Sequence, residues 1–239
     1  SYPKWPKRCS HRNPRRAKKL KVEPCSGINS VTRSALHTVI HFDVRQKNMA
    51  IDDYQRSRSQ TVGFLDKQGI TEHMFYGPTS DQYWSEPSRV VIVNMEPWGY
   101  GGRYEVDRNI LLGWLEAGNS KKTHTTKYSY AILSVLLDAL ESGSAVDRSH
   151  LWSAYRDQAE LVNTIDRVVY YNLKSESNDR IEQDYDAISG VGETELGRYI
   201  WNEITALEPS IILVSGEATS KSVDQLLGHD DSFHYKTHL

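Results

Sequence analysis

The run Val90-Val91-Ile92-Val93-Asn94-Met95-Glu96-Pro97-Trp98-Gly99-Tyr100-Gly101-Gly102 decides the architecture. Its β-branched opening predicts a strand buried on both faces. The strand stops abruptly at an acid, a proline, a large aromatic and glycines. Such a strand belongs in a parallel sheet covered by helices. Its carboxyl end then carries a carboxylate, Glu96, beside a glycine loop whose backbone can approach a ligand closely. In open α/β sheets, ligands collect at that edge.

The same grammar recurs further on. Val168-Val169-Tyr170-Tyr171-Asn172 reads as a second strand. Ile211-Ile212-Leu213-Val214-Ser215 reads as a third, turned by Gly216, and residues 233–237 as a last one. Helices are predicted between them over 127–140, 194–207 and 218–227. Leu151, Trp152, Tyr155, Ala159 and Val162 recur at one helical period. Residues 28–85 read as irregular structure with short helices, including a helical patch over 51–65 and a turn at Tyr76-Gly77-Pro78. The expected fold class is α/β: one three-layer α/β/α domain with a short parallel central sheet. Asn94 with Glu96, Asn172, and Ser215 with Gly216 end three of the strands, so all three strand ends fall on one edge. Strands also end in polar residues simply because they stop at the surface, and that reading stays open.

A length of 239 residues suits one large domain and is too short for two enzymatic ones. The expected division is a basic arm over 1–27 and one α/β domain over 28–239. Residues 1–22 hold nine Lys or Arg, Lys18 and Lys19 among them, and no acid. That leaves 20 basic against 31 acidic residues over the remainder. A basic arm on an acidic body grips a polyanion without coating the whole molecule in positive charge. A solubilising tail is the plainer alternative. No apolar run has the length of a membrane span and no signal segment is legible, so no membrane partner is expected. With only Cys9 and Cys25, no disulfide framework forms, and an intracellular (cytoplasmic, nucleoid-associated) monomer is expected. Cys9, His11 and Cys25 supply three potential zinc ligands without a fourth, and their spacing fits no finger. No metal is predicted.

Taken in order, these residues resemble the uracil-DNA glycosylase superfamily. Its first motif is a strand followed by Gly-Gln-Asp-Pro-Tyr and a glycine-rich loop. Here the acid Glu96, Pro97, the aromatic Trp98 and the glycines fall in that register, with Asn94 in place of the first glycine. The family next has a strand ending in an asparagine that reads an everted base, which Asn172 matches. A later strand turning through glycine into a helix is matched by Gly216 and Ala218. The family's closing His-Pro-Ser is matched only by His238. The resemblance covers residues 85–239.

The resemblance implies a monofunctional DNA glycosylase needing no cofactor, with DNA as partner. Glu96 would stabilise the sugar cation and direct the attacking water, and His238 would donate to the departing base. Asn172, Trp98, Tyr104 and Asn94 would hold the base. Gly99, Gly101, Gly102, Arg103 and Gly216, with Lys18 and Lys19 of the arm, would contact the DNA. The family's tyrosine and aspartate are replaced here by Trp98 and Glu96. A pyrimidine larger than uracil, such as a hydroxymethylated or glucosylated cytosine in phage DNA, is the expected substrate. The rival expectation is a DNA-binding module of this fold without chemistry.

Overall fold

The computed structural model describes residues 38–41, 47–94, 102–116, 121–143, 145, 148–173, 185–228 and 234–236. The arm with Lys18 and Lys19 lies outside them, as do Glu96, Trp98, Gly99, Gly101 and His238. Residues 32–239 form one compact unit.

In chain order the elements are β1 (Thr38–His41), α1 (Lys47–Gln68), β2 (His73–Phe75), α2 (Gln82–Ser85), β3 (Val90–Asn94) and β4 (Arg103–Glu105). Then come α3 (Arg108–Glu116), α4 (Lys121–Ser142), α5 (Arg148–Arg156), α6 (Gln158–Arg167) and β5 (Val168–Asn172). The last are α7 (Tyr185–Gly190), a 3-10 turn (Val191–Glu193), α8 (Glu195–Ala206), β6 (Ile211–Val214), α9 (Glu217–Leu227) and β7 (His234–Lys236).

The main sheet has the order β5-β3-β6-β1-β7. β3 lies between β5 and β6 and is parallel to both, as the three apolar runs require. All four residues Val90–Val93 are buried, as are Val168–Tyr171 and Ile211–Val214. Burying each such side chain contributes about 1.5–3 kcal/mol. A second, two-stranded parallel ribbon pairs β2 with β4.

Side-chain alternation along β5 shows the layering. Tyr170 stacks on Tyr130 of α4 and meets Trp114 of α3 edge-on. Tyr171 points to the other face, where its hydroxyl donates to Glu203 of α8 at 3.0 Å. α1 packs on α8, and α9 packs on α7. Helices therefore cover both faces, an arrangement compatible with three α/β/α layers.

Three expectations are corrected. The sheet is mixed, because β1 pairs antiparallel with both β6 and β7. Four residues, Thr-Val-Ile-His, are too short a run to announce a strand without the partner on either side. Second, residues 28–85 hold a 22-residue helix, α1, rather than short ones. Its inward face carries Arg58 and Thr61 beside Ala50 and Leu65, so the apolar period is interrupted by polar residues that are paired only in the fold. Third, the helical period from Leu151 to Val162 is broken. Asp157 leaves the helical region, and its carboxylate accepts from the N–H groups of Ala159 and Glu160, ending α5 and starting α6.

The amino edge of the parallel core is clamped by ions. Arg167, just before β5, holds Glu86 through two bonds of 2.8 and 2.9 Å. Arg89, just before β3, meets Glu208 at 3.1 Å, and its carbonyl accepts from Ser210 N–H at 2.7 Å.

Candidate functional site

At the carboxyl edge, strand register places the predicted polar residues together. Asn94 is the register partner of Asn172, and the two strands are about 4.8 Å apart. Leu173 N–H donates to the Asn94 carbonyl at 3.0 Å, and Ser215 N–H donates to the Val93 carbonyl at 2.8 Å. Asn94, Asn172 and Ser215 thus form one row across three strands, with Gly216 next at φ +91°. A side chain at Gly216 would be strained by that left-handed backbone.

Asn94 and Asn172 are nearly sealed, at 5% and 3% exposure. Asn172 Nδ2 donates to the Tyr76 hydroxyl at 2.6 Å. Asn94 Nδ2 is buried without a hydrogen-bond partner. A buried amide donor left unpaired costs about 1–3 kcal/mol, and such a donor asks for a ligand or a water.

The β2–β4 ribbon approaches this row. Tyr76 donates to the Met74 thioether at 3.4 Å, and Tyr104 donates to the same sulfur at 3.0 Å. Tyr104 is therefore linked to Asn172 through Met74 and Tyr76. The Gly102 carbonyl accepts from His73 N–H at 3.1 Å, and Gly102 holds φ +90°. Arg103, expected to contact DNA, has partners of its own in the fold. Its guanidinium is bonded to Asp66 and to the carbonyl of Ile70, tying β4 to the end of α1.

Beneath Tyr76 lies a polar cluster that sequence reasoning missed. Arg58 of α1 pairs with Glu203 of α8 at 2.9 Å, and Glu203 is fully buried. Arg58 also bonds the Tyr54 hydroxyl and the Tyr76 carbonyl, and its guanidinium stands over the Phe75 ring at 4.8 Å. The Tyr54 hydroxyl donates to the Tyr76 carbonyl at 3.0 Å. Burial pushes the Glu203 carboxyl up, against the pull of Arg58 and of hydrogen bonds from Thr61 and Tyr171. Burial also pushes Tyr54 up to about 12. His73 is pushed down to about 3, first by burial and then by the charges of Arg58 and Arg103. No local pattern signals this cluster. Arg58 and Glu203 lie 145 positions apart, each on a helix otherwise ordinary in sequence.

A cavity of about 540 Å³ opens nearby, lined by Phe64, Ile70, Leu173, Val191, Leu196 and Ile200 among others. It lies against α1 and α8, the layer that Tyr171 faces, and none of the predicted site residues lines it. Among the described residues there is no cluster of His, Cys, Asp and Glu set to hold a metal, and no helix long and apolar enough to cross a membrane.

Fold and site together describe a mixed α/β protein with an ion-clamped amino edge and an amide-bearing carboxyl edge. Compared with protein-family models, curated proteins and solved structures, the chain matches none.

Proposed function

We propose that this chain is a DNA glycosylase that hydrolyses the N-glycosidic bond of an everted pyrimidine-type base and leaves an abasic site. The observation that supports the reading is the pairing of Asn94 with Asn172 at the carboxyl edge, with the Asn94 amide unpartnered. A pyrimidine edge alternates donors and acceptors in one plane, and two adjacent side-chain amides can meet both kinds.

The chemistry would then fall to the residues that the sequence motifs single out. Eversion costs a few kcal/mol of unstacking, least at a modified or mispaired base. As the glycosidic bond breaks, the sugar gains positive charge and the base negative charge. Glu96, two residues past Asn94, would stabilise the sugar cation and take a proton from the attacking water. His238 would donate to the base oxygen. Asn172 and Asn94 would hold the base, with Trp98 and Tyr104 as its walls. Gly99, Gly101, Gly102 and Gly216 would meet phosphates through their backbone N–H groups, and Lys18 and Lys19 would add salt-dependent affinity.

The test is incubation with duplexes carrying uracil, hydroxymethyluracil, hydroxymethylcytosine or glucosylated hydroxymethylcytosine, followed by alkaline cleavage at abasic sites. The expected result is cleavage of at least one substrate, lost in Glu96→Gln and in Asn172→Ala. Full base release by Glu96→Gln would overturn its assignment. The charge-rich stretch 1–22 supports a second reading, a DNA-binding module without chemistry, which predicts salt-dependent binding and no abasic sites.

A further inference from the structure

Asn172 has two faces to offer, a carbonyl oxygen and an amino group, and the fold decides which one turns inward. Its Nδ2 is engaged by Tyr76 at 2.6 Å. The Tyr76 hydroxyl is fully buried, and burial holds its pKa well above the ordinary tyrosine value, so it keeps its one proton. That proton is directed to Met74 Sδ, leaving the oxygen lone pairs to accept from Asn172. Were the proton turned to Asn172 instead, the amide would rotate and present its amino group outward.

Tyr76 itself is held from several sides. Its carbonyl accepts from the Tyr54 hydroxyl at 3.0 Å and from Arg58, which Glu203 anchors at 2.9 Å. Its ring lies against Tyr171 and Tyr170 at centroid separations of 5.3 and 6.4 Å. The next residue, Gly77, has no room for a Cβ, which would fall on the Tyr54 hydroxyl. A rigid chain of contacts therefore runs from α1 and α8 through Tyr76 to the strand edge.

We propose that Tyr76 is a positioning residue. With its proton committed to Met74, its oxygen locks the Asn172 amide so that Oδ1 remains available to the ligand. The inference rests on the reading of Asn172 as the base-reading side chain. It deepens that reading by naming the edge selected: one presenting an N–H donor to Asn172, such as an imide or an exocyclic amine. An edge presenting a bare ring nitrogen there is rejected, because two acceptors would face each other.

The test uses the full chain labelled with 15N. The Asn172 side-chain NH2 pair is assigned by its loss in Asn172→Asp. In the native protein this pair is expected away from ordinary asparagine amides and protected from exchange. In Tyr76→Phe it returns to the ordinary position and exchanges freely. In Met74→Leu, which keeps the tyrosine but frees its proton, the pair also moves as the amide turns. Tyr76→Phe is further expected to raise KM for whichever base the native protein releases at least ~10-fold, with kcat changing less, a loss of ~1.4 kcal/mol in binding. An Asn172 pair unmoved in Tyr76→Phe overturns the proposal. Should Tyr76→Phe not fold, an unmoved pair in Met74→Leu does the same. If native protein releases no base from any DNA, the functional reading fails, while the amide signature still decides the positioning role by itself.

Discussion

Asn94 and Asn172 stand opposite one another as the final residues of two paired parallel strands, yet their amides are treated differently. Tyr76 engages the Asn172 amide, whereas Asn94 Nδ2 is buried with no partner. A fold that keeps an unpaired donor under cover holds unfavourable free energy at that point.

Replacing Asn94 with alanine removes that unpaired donor. The desolvation cost it relieves, about 1–3 kcal/mol, offsets the packing lost. The urea midpoint of Asn94→Ala is therefore expected to equal or exceed that of the native protein. Base release should fall ~10-fold or more, equivalent to ~1.4 kcal/mol of transition-state binding. A clear drop in midpoint would show that Asn94 is structural.

The Arg58–Glu203 pair predicts a different signature. Glu203→Gln leaves the Arg58 charge in a largely buried place, at a cost of about 3–5 kcal/mol in urea denaturation. Replacing both residues together, as Arg58→Met with Glu203→Leu, is expected to recover much of that loss, because the desolvation of both ions disappears. If the double variant is no more stable than Glu203→Gln, the cost lies in packing around α1 and α8 instead.

His73 sets a pH dependence whose sign follows from its depressed pKa. Folded, it stays neutral down to about 3, while in the unfolded chain it takes a proton below about 6.5. The unfolded state then binds more protons, and stability falls as pH drops through that window, by at most ~1.4 kcal/mol per pH unit. Glu203, pushed up by burial, works in the opposite direction, so the difference between proteins is the informative quantity. His73→Gln is expected to lose less stability than the native protein between pH 6.5 and 4, as read from urea midpoints across that range. Parallel pH profiles for the two proteins would remove His73 from the account.

Arg167 tests the division of labour between the two ends of the sheet. Its two bonds to Glu86 and its contact with Glu141 lie before β5 begins, about 16 Å of strand from Asn172. Arg167→Ala is expected to cost about 1.5–3 kcal/mol of stability, from lost charged hydrogen bonds. Base release measured well below the unfolding midpoint should stay near native. A large fall in kcat with the fold intact would mean that the amino edge also positions the site.

The chain's local patterns were enough to place the strands Val90–Asn94, Val168–Asn172 and Ile211–Val214 and the helices after Thr194 and Gly216. Each rests on short-range causes: β-branched runs, a Thr194 hydroxyl that caps Gly197 N–H at 2.8 Å, and a glycine at φ +91°. The same patterns were enough to expect that Asn94, Asn172 and Ser215 share an edge, since parallel strands that start together end together. Tertiary structure alone decided that β1 enters the sheet antiparallel, and that Arg58 meets Glu203 under Tyr76. It also decided that Arg103 is held by Asp66, and that Tyr76 governs the Asn172 amide. Those outcomes depend on partners far apart along the chain, where a polar residue looks alike whether it will face water or an ion. Periodicity records which face of an element is buried, but only packing determines what that face meets.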